Sequence, residues 1–60
     1  MRTATDKLKA VERELSYRKH VYPRRVDAGL MTSTLAAEQI AVMEEIADDY
    51  RKLAEKERLL

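Results

Sequence analysis

The side chains most able to do chemistry sit in two clusters. Arg18, Lys19, Arg24 and Arg25 fall close together, interleaved with Tyr17, His20 and Tyr22. Cations spaced among aromatic rings can neutralise phosphates and stack on unpaired bases, so this segment is a candidate nucleic-acid contact, DNA or RNA. Acidic residues lie nearby and the pI is only about 8.1, which ranks that reading second. The other cluster is acidic: Glu44/Asp48 and Glu45/Asp49 form two i,i+4 pairs. Paired carboxylates can hold a hard cation or move protons. Helical di-metal sites, however, need inward glutamates joined by Glu-x-x-His motifs, and the only histidine is His20. The acids therefore read as a solvated helix face, and His20 as an exposed, passive side chain.

Nothing else resembles a catalytic assembly. Cysteine is absent and there is a single glycine, which removes thiol nucleophiles, thiolate metal sites, disulfides and a glycine-rich phosphate loop. No enzyme activity, catalytic residue, metal or cofactor is expected.

The elements that position these clusters are helical. Of 60 residues, 38% are charged, and the chain holds one glycine and one proline. Such a composition belongs to long helices and coiled coils. No apolar run reaches the length of a membrane span, and residues 1–6 carry no hydrophobic leader core. A soluble, intracellular (cytoplasmic) protein is expected.

Thr3 or Thr5 can cap a first helix, with Asp6 placed favourably in its first turn. An apolar phase then runs through Leu8, Val11, Leu15, Tyr22 and Val26, with Arg18 and Arg25 in the same rows. Pro23 interrupts it, removing a backbone hydrogen bond to Lys19 and disfavouring helical geometry at Tyr22. The unbroken phase and the glycine at position 29 favour one kinked helix over about residues 4–28. The alternative is a helix ending near residue 21 followed by a separate turn. Residues 29–31 form the loop, Thr32 is a good N-cap, and a second helix runs over about 32–58. The sequence predicts one all-α domain over residues 1–60, an antiparallel two-helix hairpin in which residue x faces roughly residue 60 − x.

Residues 1–30 carry eight Lys/Arg against four Asp/Glu, and residues 31–60 carry four against seven. Folded back on each other, the halves attract. The second helix is apolar over a wide arc: Ala36, Ile40, Met43, Ile46, Ala47, Tyr50, Leu53 and Ala54, extended by Leu35 and Val42. A stripe that wide suits more than one neighbouring helix. With no disulfide or metal available, association is the remaining support for so small a domain. The expected unit is a homodimeric four-helix bundle whose dimer and core seam comprises Leu8, Val11, Leu15, Tyr22, Ile40, Met43, Ile46, Tyr50 and Leu53.

The segment Val21-Tyr22-Pro23-Arg24-Arg25-Val26 through Gly29, Met31-Thr32, Ala36, Ile40, Met43-Glu44, Ile46 and Asp49-Tyr50 resembles a set of very small helical-hairpin proteins encoded by phages and prophages of proteobacteria. The resemblance spans roughly residues 10–51 and rests on the Tyr-Pro and Asp-Tyr elements. It implies an accessory protein that acts by binding a host or phage protein, some such proteins being host-takeover factors that inhibit a regulator. It transfers no functional residue. The basic cluster Arg18, Lys19, Arg24 and Arg25 then steers a partner, or, in the alternative reading, binds nucleic acid.

Overall fold

A computed structural model describes residues 2–59, which form two helices, α1 (Ala4–Asp27) and α2 (Ser33–Leu59), joined by a short turn. They pack antiparallel along almost their full length. Ala4 meets Glu57, Glu12 meets Arg51, and Lys19 meets Glu44. These pairs fall within a turn of the register in which x faces 60 − x.

Local chemistry fixes each helix end. Thr3 caps α1: its Oγ1 accepts from the Asp6 amide at 3.1 Å, and Asp6 Oδ2 accepts from the Thr3 amide at 3.3 Å. This reciprocal box satisfies two donors that the first turn leaves without helical partners. Thr32 caps α2 with a single bond, its Oγ1 accepting from the Leu35 amide at 3.1 Å.

Pro23 lies inside α1, which continues past it to Asp27. The residue is exposed, and lacking an N–H it leaves the Lys19 carbonyl without its helical donor. The helix stops instead at Gly29, whose φ is +76°. The Leu30 amide donates to the Arg25 carbonyl at 2.8 Å, and the Gly29 amide to Val26 at 3.0 Å. That pair of bonds is the Schellman closure, which requires a left-handed residue at Gly29.

The seam between the helices is thin. On α2 it consists of Ala36, Met43 and Tyr50 in one row and Ile40, Ala47 and Ala54 in the next. Only the three alanines are buried, at 7%, 1% and 7% exposure for Ala36, Ala47 and Ala54. Their small side chains let α1 approach closely, with Leu8 beside Ala54 and Leu15 beside Ala47. Among the described residues no large side chain is fully buried.

The molecule is a rod of 47 × 15 × 15 Å with a radius of gyration of 14.0 Å, against about 10 Å for a compact domain of this length. No helix among the described residues is long and apolar enough to cross a membrane.

A Cβ at position 29 would meet no atom within 4 Å, so the cost of a side chain there is purely that of the backbone conformation. Gly29→Ala is expected to lower the unfolding free energy by about 1 kcal/mol, and Gly29→Asn by less. Urea denaturation followed by circular dichroism measures both; equal stability of all three proteins would show that this turn does not set the end of α1.

Candidate functional site

The basic cluster divides into two parts. Arg18 does not project into solvent: its side chain is 18% exposed and its Nε donates to Glu14 Oε1 at 3.1 Å. Its Nη1 crosses to α2 and donates to the Gln39 carbonyl at 3.0 Å, with Gln39 Oε1 at 3.4 Å. Position 18 falls in the same row as Ala4 and Val11, facing α2. The guanidinium is thus spent on fixing how the helices align. Lys19, on the other flank of α1, pairs with Glu44 at 3.7 Å. Arg24 and Arg25 stay exposed, and Arg25 lies 5.8 Å over the Tyr22 ring, with Arg18 at 5.9 Å from it. Of four candidate contacts, two are engaged between the helices and two face solvent near the turn.

The acidic pairs divide as well. Glu44 meets Lys19, and Asp48 pairs with Arg51, which also reaches Glu12 at 3.4 Å. Glu45 and Asp49 are exposed. Among the described residues no group of three or more metal-ligating side chains converges. His20 is exposed.

A helix turns by about 100° per residue, and applying that rotation to α1 and α2 separates the hairpin into two unlike faces. One face carries the cross-helix ion pairs Lys19–Glu44 and Glu12–Arg51. The other carries Glu14, Arg18 and Val21 of α1 against Gln39, Ile46 and Tyr50 of α2, with Lys7 5.9 Å over the Tyr50 ring. Along this second face α2 presents Leu35, Val42, Ile46 and Leu53. Leu35, Val42 and Leu53 are 44%, 50% and 47% exposed, and Ile46 is half-buried. Tyr17, 50% exposed, continues the same side of α1. Toward the open end, Leu53 and Tyr50 join Ala4, Lys7, Lys56 and Glu57 around a shallow groove.

Of the expected seam residues, Leu8, Val11, Leu15, Tyr22, Ile40, Met43 and Tyr50 point toward the partner helix and are half-buried. Ile46 flanks that seam, and Leu53 stays outside it. Tyr22 and Tyr50 belong to opposite ends of the hairpin.

Two structural roles went unread in the sequence. One is Arg18 as an interhelical clamp. The other is Glu57, whose carboxylate accepts from the Ala4 amide at 2.8 and 3.1 Å and places a negative charge at the positive end of α1. Both follow from register: position 18 lies in the seam row, and residue 57 faces residue 3.

No family model, curated protein or solved structure matches the chain.

The division of the basic cluster is measurable. Arg18→Ala is expected to cost about 1–2 kcal/mol of stability, since it removes a charge-assisted bond to a backbone carbonyl and the packing of the stem. Arg24→Ala is expected to stay within about 0.5 kcal/mol, as surface changes usually do. Equal effects by chemical denaturation would refute the clamp.

Proposed function

We propose that this protein works by protein–protein binding. It is a small accessory protein of the phage or prophage type, acting in the cytoplasm of a bacterial host. Its working form is a homodimeric four-helix bundle of coiled-coil character, with α1 bent at Pro23. The observation that carries this reading is the exposed apolar row on α2, beside a core in which, among the described residues, only alanines are buried. The isolated chain exposes 4798 Å², about 750 Å² more than the ~4,040 Å² expected for a folded monomer of its mass. A partner supplies the missing cover. Each leucine or isoleucine taken out of water there contributes on the order of 1.5–3 kcal/mol, comparable with the whole stability of so small a core.

The choice of a host or phage protein as the further partner, and inhibition of a host regulator as the outcome, rests on the resemblance of the Val21–Tyr50 segment. Arg24 and Arg25 near the turn steer such a partner and set its association rate. The nucleic-acid reading is weaker, because Arg18 is held between the helices, Lys19 is paired with Glu44, and the unpaired remainder is two side chains beside an acidic second helix.

Variants separate the readings. Ile46→Asp is expected to destabilise the assembly severely and lower its melting temperature, because a charge enters a surface that association buries. Val42→Asp, on the same exposed row, should likewise weaken the assembly and with it the capture of a protein partner from nuclease-treated host lysate. Arg24→Ala with Arg25→Ala should leave the captured partner in place. Tight, steeply salt-dependent binding of DNA or RNA, lost uniformly in the double arginine variant, would replace the protein-binding reading with the nucleic-acid one.

A further inference from the structure

The open face of α2 reads the same in both directions. Its apolar members Leu35, Val42, Ile46 and Leu53 are spaced by seven, four and seven residues. Inverting the helix about the level of residue 44 superposes Leu35 on Leu53 and Val42 on Ile46. The two polar members of the same rows, Gln39 and Asp49, also exchange. A twofold interface uses one patch against itself, so each residue must find its complement on an inverted copy. The spacing itself is that of any three-four helical seam; what is particular here is that the exchanged apolar positions also match in size, Leu with Leu and Val with Ile.

Resting on the protein-binding reading above, we propose that the partner on this face is a second copy of the chain. Its α2 lies antiparallel, with the twofold axis level with residue 44. Leu35 then packs on Leu53 of the second copy, and Val42 on Ile46. Gln39 faces Asp49 of the second copy. The Gln39 side-chain oxygen already lies toward Arg18, which leaves its NH₂ group to donate to that carboxylate. Along the flank, Lys52 of the second copy comes within a turn of Glu38, giving two opposite-charge pairs per dimer. Glu45, beside the axis, meets its own like charge outside the seam.

Area points the same way. The roughly 750 Å² by which the lone chain exceeds a compact monomer is close to the ~800 Å² that each partner contributes to a standard stable interface. The ion-paired opposite face, by contrast, has its charges largely matched within one chain.

The absence of cysteine makes the geometry directly testable. Leu35→Cys and Leu53→Cys are prepared as separate proteins, checked for native helicity, mixed in equal amounts, refolded together and mildly oxidised. In the proposed register a residue at 35 lies level with 53 of the second copy but about 27 Å along the axis from its own equivalent, far beyond disulfide reach. The mixture should cross-link about half of the chains, the share of mixed pairs in a random twofold dimer. Neither variant alone should link to itself. Self-linking of either single variant would overturn the antiparallel pairing. A native chain that sediments as a dimer while the mixture fails to link would overturn this geometry and leave the protein-binding reading intact. A native chain that stays monomeric up to millimolar concentration would remove the second copy as occupant, and lysate capture that survives in that case would show that a different protein covers the face.

Discussion

Two helices that touch along one seam can hide only one stripe of each, and every other property of this hairpin follows from that limit. The seam is narrow because α2 supplies alanine at its centre: Ala36, Ala47 and Ala54 allow close approach but bury little area each. The leucine, isoleucine, methionine and tyrosine side chains that border those alanines are at most half-buried. The result is a well-aligned pair of helices with a weak core. Alignment and stability are here separate properties.

Alignment comes from polar groups at the ends and the middle. Glu57 closes the start of α1, Arg18 reaches the Gln39 carbonyl across the centre, and the Gly29 closure fixes the turn. The ion pairs Lys19–Glu44 and Glu12–Arg51 are about half exposed, and such pairs are worth at most about 1 kcal/mol each. Their greater effect is to commit one face to water. That leaves the face of Leu35, Val42, Ile46 and Leu53 as the open apolar one.

The hairpin was legible in the sequence because its signals are local. Capping threonines, a glycine at the turn and a 3.6-residue apolar period each act within a few residues. The continuation of α1 through Pro23 was also readable, since the apolar phase does not shift there and the proline falls on the solvent side. Arg18 was harder. A cation in an apolar row looks like an exposed contact until the opposite helix is seen to offer it a carbonyl. Leu53 lies about 100° from Ala54 in the helical rotation, so within one hairpin it stays exposed. Which rows of the wide α2 stripe stay open was not legible, because that depends on where α1 lies against it.

The central claim is that the chain reaches its stable form by associating through that face. The midpoint of thermal unfolding, followed by circular dichroism from low micromolar to millimolar concentration, tests it most directly. Unfolding coupled to dissociation must shift upward as the protein is concentrated, and that shift should vanish in Val42→Asp. A cooperative transition at one fixed temperature across the whole range, with the mass of a single chain, would contradict the account.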